Sequence, residues 1–139
     1  MERLPLFLDV QAQRCVVIGG GEVALRKATL LVRAGARLHV VAPELCDEMA
    51  SLCEESDALL CRTEFHECCL QGATLAIAAT DSLEVNTAVS LAARARGIPV
   101  NVVDQPELCT FIVPAIVDRS PIVVAISSGG ASPILARSI

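Results

Sequence analysis

The stretch Arg14-Cys15-Val16-Val17-Ile18-Gly19-Gly20-Gly21-Glu22-Val23-Ala24 decides the fold. A short β-branched run ends in three glycines, and the apolar residues that follow recur with helical periodicity through residues 22–34. We therefore predict a strand, a tight glycine turn and a helix. Gly35 is expected to close that helix, and residues 37–41 form a second apolar strand, so that the whole is one βαβ unit.

Strand-like and helical segments continue to alternate beyond this unit. The run at residues 74–79 is apolar, as expected of a strand covered on both faces, and Thr80-Asp81-Ser82 supplies the N-cap of the next helix. The predicted segments in chain order are a helix at 44–55, a strand at 58–63, a helical turn at 66–71, a strand at 74–79, a helix at 83–96 and a strand at 98–103. This alternation predicts an α/β fold, a doubly wound parallel sheet of the Rossmann type within residues 1–110.

The pattern changes after residue 110. Two strand-like runs, residues 110–117 and 122–127, are separated only by residues 118–121, which predicts an antiparallel hairpin. Ser132-Pro133 then begins a helix that the sequence cuts off at Ile139. We expect residues 111–139 to be the start of a region that a longer protein continues or that a second copy completes.

Composition restricts the function classes. The 139 residues allow one compact domain with an apolar core, and 53% of them are hydrophobic while only 2% are aromatic. A net charge of -5 would repel a nucleic-acid backbone or an anionic membrane surface. Neither a signal peptide nor a segment of membrane-spanning length is recognisable. We expect a cytoplasmic protein with no nucleic-acid or membrane partner.

The seven cysteines suggest a metal or disulfide framework, but the number is odd and no C-x-x-C pair occurs. Free and mostly buried thiols are the favoured interpretation. His66 stands beside Glu67, Cys68 and Cys69 without metal-ligand spacing, so no metal site is assigned. His39 is expected to be a core or edge residue of the second strand.

The glycine turn has the pattern G-x-G-x-x-A between a strand and a helix, which is the context of a dinucleotide-binding site. Gly19 permits the tight turn, Gly21 lets the backbone approach a pyrophosphate, and Ala24 allows close packing of the helix on the strand. The free N–H groups of the helix N-terminus would bind the phosphates. The alternative is an ordinary glycine turn.

The end of the second strand decides between NAD and NADP, because an acidic side chain there binds the ribose hydroxyls and an arginine binds a 2′-phosphate. The sequence reads Ala42-Pro43-Glu44, with neither Arg nor Lys nearby, which favours NAD. Alternatively, Glu44 stabilises the first turn of the following helix, and both roles are compatible.

Three polar residues follow predicted strands, where ligands bind in open α/β sheets: Thr80, Asp81 and Asp104. Asp81 is either a ligand-side carboxylate or merely a helix cap, with equal weight. Asp104 directly ends a buried strand on the expected nicotinamide side and is the best candidate for a general acid or base, against the alternative of a loop carboxylate before Pro106.

The segment Ser127-Ser128-Gly129-Gly130 is a candidate anion-binding nest of N–H groups and hydroxyls, assisted by Arg119 and Arg137. A flexible turn before a helix is an equally weighted alternative.

Ordered motifs from Leu4 to Arg137 make the chain resemble the precorrin-2 dehydrogenase and sirohydrochlorin ferrochelatase family, the N-terminal module of siroheme synthases. The motifs are Leu4-Pro5-Leu6-Phe7, Val17 to Ala24 with Arg26-Lys27-Ala28, Ala34-Gly35-Ala36, Ala76-Ile77-Ala78-Ala79-Thr80-Asp81, Asn101-Val102-Val103-Asp104, Phe111-Ile112-Val113-Pro114-Ala115, and Asp118-Arg119-Ser120-Pro121 with Ser127 to Pro133.

The resemblance implies NAD-dependent oxidation of precorrin-2, a tetrapyrrole with many carboxylates, to sirohydrochlorin, and in many members insertion of ferrous iron as a second reaction. It implies that Asp104 removes the proton, and that Glu22, Val23, Pro43 and Glu44 line the NAD.

The same resemblance gives roles to the region after the sheet. The hairpin would form a homodimer, and Ser128 would be a phosphorylation position near the tetrapyrrole. A polyanionic substrate agrees with Arg119, Ser127, Ser128 and Gly129 as substrate-binding residues in an acidic protein. A non-catalytic NAD-sensing regulatory module is the alternative function, and it needs no carboxylate at Asp104.

Overall fold

Five parallel strands form the central sheet of the computed structural model, which describes residues 1–127. The strands are β1 (Arg14–Ile18), β2 (Arg37–Val41), β3 (Leu59–Cys61), β4 (Leu75–Ala78) and β5 (Val100–Val102), and the helices are α1 (Glu22–Arg33), α2 (Asp47–Glu55) and α3 (Leu83–Ala95). Short 3-10 turns occupy Glu67–Leu70 and Pro106–Leu108. The strand order β3-β2-β1-β4-β5 reverses between β1 and β4, whose carboxyl ends therefore open a crevice.

The core is built from Val, Ile, Leu and Ala on both faces of this sheet. Every residue of β4 is buried, and α1 covers the sheet through Ala24, Ala28 and Leu31. Small residues let the helix approach the sheet closely, which suits a chain with so few aromatic side chains. The predicted doubly wound parallel sheet is confirmed.

The second helix begins later than predicted. The pattern suggested residues 44–55, but α2 starts at Asp47 with Cys46 as its N-cap. The preceding residues pass over the glycine turn instead, and the Cys46 N–H donates to the Gly20 carbonyl at 2.8 Å. The interpretation of Glu44 as a first-turn helix residue is therefore wrong.

The segment after β5 also differs from prediction. β5 covers only Val100–Val102 of the expected strand at 98–103, and the 3-10 turn Pro106–Leu108 was not predicted. Thr110, expected to begin a hairpin strand, lies beside β5: its N–H donates to the Val100 carbonyl and its hydroxyl accepts from the Val100 N–H, both at 2.8 Å.

The predicted antiparallel hairpin is confirmed, with strands β6 (Ala115–Arg119) and β7 (Ile122–Ile126) joined at Ser120-Pro121. β6 begins later than the predicted strand. The turn is tighter than expected, because Asp118 and Arg119 still pair with β7. The helix predicted from Ser132 lies outside the described residues.

The described residues divide into two compact units. One is Leu8–Thr110 and contains the parallel sheet, and the other combines Met1–Phe7 with the residues from Phe111 onward, including the hairpin. Within residues 1–127, no helix combines the length and the apolar character needed to cross a lipid bilayer.

Candidate cofactor and catalytic site

The first glycine of the turn lets β1 end directly against β4. Gly19 has φ 134°, a conformation that disfavours side chains, and a Cβ there would lie 2.4 Å from the Ala79 carbonyl oxygen. The same Cβ would lie 3.2 Å from the Cβ of Ala24, which is fully buried. Gly19 and Ala24 therefore permit the close junction of β1, α1 and β4.

The second glycine has a role that sequence reasoning missed. A Cβ at Gly20 would lie 2.1 Å from the Glu44 carbonyl oxygen and 2.8 Å from Cδ2 of Leu45. The loop between β2 and α2 therefore rests on the bare backbone of Gly20. No local pattern could reveal this, because the loop is far away in the sequence.

The third glycine faces open space. Gly21 is the exposed N-cap of α1, and a Cβ at this position would meet no atom within 4 Å. Its carbonyl accepts from the Leu25 N–H at 2.9 Å, whereas the N–H groups of the first turn at Glu22, Val23 and Ala24 have no partner within the helix. This combination of open space, free donors and the positive end of the helix dipole fits a pyrophosphate.

The end of β2 presents the predicted ribose-side residues. The Ala42 N–H donates to the Cys61 carbonyl at 3.1 Å, so the sheet continues to this point, and Pro43 and Glu44 follow it exposed to solvent. Glu44 thus lies at the carboxyl end of the second strand, where a dinucleotide fold places its ribose-binding acid.

The turn after β4 is held by a residue that the sequence analysis did not select. Buried Asn86 accepts the Thr80 hydroxyl at 2.6 Å and the Thr80 N–H at 3.2 Å, and its amide donates to the Thr80 carbonyl at 3.1 Å. The cap of α3 is Ser82, whose Oγ accepts from the Val85 N–H at 3.2 Å. The cap interpretation of Asp81 is therefore wrong, and its carboxylate is exposed at the crevice edge.

Asp104 follows β5 in a backbone conformation that is rare for a side-chain-bearing residue. The Gln105 N–H donates to the Val102 carbonyl at 3.2 Å, which makes Asp104 the third residue of a β-turn, and its φ is 62°. A positive φ at that position is the mark of a type II turn, which favours glycine or asparagine. The strained conformation directs an exposed carboxylate from the carboxyl end of β5.

The Cys109 thiol stabilises the turn that carries Asp104. The Val102 N–H donates to Sγ of Cys109 at 3.1 Å, and that thiol lies 3.2 Å from the Val102 carbonyl and 3.4 Å from the Gln105 carbonyl, either of which can accept its proton. Cys109 thereby joins both ends of the turn that carries Asp104. The cysteine count gave no hint of this role.

Lys27 lies on the second turn of α1. It is half-buried, and burial lowers the pKa of its amine, as does neighbouring Arg26, while Asp104 and Cys109 act in the opposite direction. Sequence analysis quoted Lys27 within a motif but gave it no role, although a lysine beside the small buried residues of α1 was a usable signal.

The remaining predicted anion-binding residues belong to the hairpin unit. Arg119 is exposed at the end of β6 and its guanidinium donates to the Asp118 carbonyl at 3.2 Å, and Ser127 is exposed just after β7. Ser128, Gly129, Gly130 and Arg137 lie outside the described residues.

All seven cysteines are free thiols, three of them buried, three half-buried and one exposed. Among residues 1–127, no three side chains of His, Cys, Asp or Glu come together in a way that could hold a metal ion.

Comparisons with known proteins agree on one group. A family model described as "Putative NAD(P)-binding" matches residues 6–115. The chain is 57% identical over 138 residues to a siroheme synthase of Nitrosomonas europaea, covering 99% of this chain and 29% of that protein. A siroheme synthase of Methylobacillus flagellatus is 55% identical over 139 residues, covering 100% of this chain and 30% of that protein.

A solved structure shares the fold over almost the whole chain. The structure of SirC, a precorrin-2 dehydrogenase, superimposes with a TM-score of 0.83 at 26% identity and covers 98% of this chain and 66% of its own. The chain thus spans under a third of the siroheme synthases named above and about two thirds of this structural relative.

Proposed function

Since the chain belongs to the NAD(P)-binding family, we propose that it binds NAD and oxidises precorrin-2 to sirohydrochlorin, with Asp104 as general base. The observation that carries the proposal is the position of Asp104, an exposed carboxylate held in a strained turn at the carboxyl end of β5. The similarity of the chain to SirC, a precorrin-2 dehydrogenase, supports the choice of substrate.

The chain's own residues supply a binding site for the dinucleotide. The N–H groups of Glu22, Val23 and Ala24 would bind the pyrophosphate above Gly21, and Glu44 with Pro43 would line the adenosine ribose. Thr80 and Asp81 would border the cofactor at the end of β4. When bound, NAD supplies the acceptor for a hydride.

Asp104 then completes the oxidation. Loss of two hydrogens from the substrate removes one hydride and one proton, and the carboxylate of Asp104 takes the proton. The turn hydrogen bonds and the Cys109 thiol hold the backbone of the turn that carries this base, so that little backbone reorganisation is needed during the reaction.

We assign residues 1–110 to cofactor binding and residues 111–139 to substrate binding and dimerisation. Arg119, Ser127, Ser128 and Gly129 would bind carboxylates of the substrate. Both faces of the hairpin expose apolar side chains, which would be covered by a second copy of the chain: Ile116, Val117, Ile122, Val123 and Val124. Seven free thiols agree with a reducing, cytoplasmic location.

The test is absorbance monitoring of precorrin-2 with NAD, using the purified protein. We expect sirohydrochlorin to form, and we expect Asp104→Asn to lower kcat by roughly 100-fold or more while the Kd for NAD stays unchanged. Ferrous iron added afterwards tests for iron insertion in the same cuvette.

Two results would contradict the proposal. If the wild-type protein bound NAD but left precorrin-2 unchanged, the chain would be a sensing module. If Asp104→Asn retained the wild-type rate, the base would have to be another group.

A further inference from the structure

The turn after β4 lies at the crevice between β1 and β4. The Ala79 N–H donates to the Ile18 carbonyl of β1 at 2.8 Å. The next N–H along the chain, that of Thr80, donates instead to Oδ1 of Asn86 at 3.2 Å. A Cβ at Gly19 would overlap the Ala79 carbonyl oxygen, so the glycine turn rests directly against the residue before Thr80. The turn that begins at Thr80 therefore adjoins the glycine turn.

The side chain of Asn86 takes the place of a neighbouring strand for Thr80. It accepts the Thr80 N–H and donates to the Thr80 carbonyl at 3.1 Å, as the backbone of a strand would. Oδ1 of Asn86 also accepts the Thr80 hydroxyl at 2.6 Å, and Asn86 is only 6% exposed. Because a buried amide is costly unless it is hydrogen-bonded, these three bonds stabilise one conformation of the turn.

The same contacts use the hydrogen-bond donors of Thr80. Its N–H is bonded to Asn86, and its hydroxyl has a single proton. That proton goes to Asn86 at 2.6 Å rather than to the Ser82 carbonyl at 3.2 Å, because the shorter contact is the stronger one. The hydroxyl oxygen in turn accepts from the Ser82 N–H at 3.2 Å. Thr80 therefore acts on the crevice through its conformation and not through a hydrogen bond that it donates to a ligand.

We propose that Asn86 is a positioning residue of the cofactor site, which holds the Thr80-Asp81 turn in the conformation that binds NAD. The inference rests on the proposed function, in which this turn borders the cofactor. A segment that is already ordered in the free protein need not be ordered on binding, which raises the affinity. A turn that occupies the binding conformation only about a tenth of the time would bind about tenfold more weakly.

The first experiment compares purified Asn86→Ala with Val89→Ala by calorimetric titration with NAD. Asn86→Ala is expected to raise the Kd and the KM for NAD roughly tenfold, with kcat at saturating NAD nearly unchanged. Val89 is fully buried on the same helix, so Val89→Ala is a matched control for stability. It should lower the free energy of unfolding and keep the wild-type Kd, because it touches the core and not the turn.

The second experiment tests whether Asn86 and Thr80 act together. Thr80→Val removes the hydroxyl bond and should raise the Kd for NAD roughly threefold, whereas Thr80→Ser keeps the hydroxyl and should lose less affinity. The double variant Thr80→Val with Asn86→Ala should bind no more weakly than Asn86→Ala alone, because both changes break one shared contact. Independent contacts with NAD would multiply to about thirtyfold.

Three outcomes would overturn the inference: a wild-type Kd in Asn86→Ala, an equal rise in Val89→Ala, or a double variant that reaches the product of the two single effects. If Asn86→Ala failed to fold, the comparison of Thr80→Val with Thr80→Ser would decide, since equal affinities of these two variants would reject the role of the hydroxyl bond to Asn86.

Oxidation of precorrin-2 is measured separately from NAD binding, so that the two proposals can fail separately. A wild-type protein that binds NAD without oxidising precorrin-2 would contradict the proposed function, and the Kd values would still decide the role of Asn86. A wild-type protein that binds no NAD would overturn both.

Discussion

The three consecutive glycines of this chain are required for three different structural reasons. Gly19 adopts a conformation unsuited to side chains and touches β4, Gly20 supports the loop after β2, and Gly21 faces the space left for a ligand. Only the first and third follow from the dinucleotide-binding pattern. The roles of these three glycines can therefore be distinguished by mutating them one at a time.

Gly20→Ala and Gly21→Ala make this separation. Gly20→Ala should lower the free energy of unfolding by about 2 to 3 kcal/mol, because its Cβ would overlap the Glu44 carbonyl oxygen. Gly21→Ala should change stability by less than about 0.5 kcal/mol, because its Cβ meets nothing, yet weaken NAD binding roughly tenfold.

Urea denaturation and NAD titration of both variants check this pair. Equal destabilisation by the two alanines would contradict the difference in packing between Gly20 and Gly21. Wild-type NAD affinity in Gly21→Ala would show that the open space beside Gly21 is not the pyrophosphate site.

At the scale of elements, a partly buried polar cluster connects three strands. The Arg14 guanidinium on β1 donates to Nδ1 of His39 on β2 at 2.6 Å, to the Cys69 carbonyl at 2.9 Å and to the Gln71 carbonyl. Because Nδ1 accepts, the ring proton is on Nε2, which donates to Sγ of Cys61 on β3 at 3.3 Å. The cluster requires a neutral imidazole.

This arrangement predicts a pH-dependent stability. Burial and the Arg14 charge lower the pKa of His39 below its ordinary value of 6.5, so the folded state resists protonation. Above pH 6.5 the imidazole is neutral in the folded and the unfolded state, so His39 does not make the free energy of unfolding depend on pH there. Below it, the unfolded chain takes up a proton that the folded chain does not, and stability falls by up to about 1.4 kcal/mol per pH unit until the folded pKa is reached.

Urea denaturation at about pH 7.5 and pH 5.5 measures this loss of stability. The two values lie about one pH unit to either side of the ordinary histidine pKa. His39→Gln should lose less stability between the two conditions than the wild type, whereas His66→Gln, at the exposed second histidine, should match the wild type. A loss in His39→Gln as large as that of the wild type would remove His39 as the cause.

At the scale of the whole molecule, the two units differ in how completely they bury their apolar residues. The parallel sheet is covered on both faces, whereas the hairpin exposes valines and isoleucines from both strands, and a two-stranded hairpin is at best marginally stable alone. A second copy of the chain is the proposed cover.

Val124→Lys tests this proposal. Val124 pairs with Val117 across the hairpin and is 44% exposed, so a lysine there would place a charge in the proposed dimer interface. Light scattering of the purified variant should give a monomer where the wild type gives a dimer. Leu91→Lys, on an exposed leucine of α3, should remain dimeric, and a dimeric Val124→Lys would argue against the hairpin as the interface.

The sequence by itself determined the parallel α/β sheet, the glycine turn and the hairpin, because hydrophobic period, glycine position and link length are local properties. It also located Asp104 at a strand end. It extended α2 to Glu44 wrongly and assigned the α3 cap to Asp81 as an alternative, since cap choice depends on hydrogen bonds that form only in three dimensions. The tertiary structure alone revealed the roles of Gly20, Asn86 and Cys109. For Gly20 and Cys109, the backbone that gives the residue its role lies on another element of the chain, and for Asn86 it lies in the turn before its own helix.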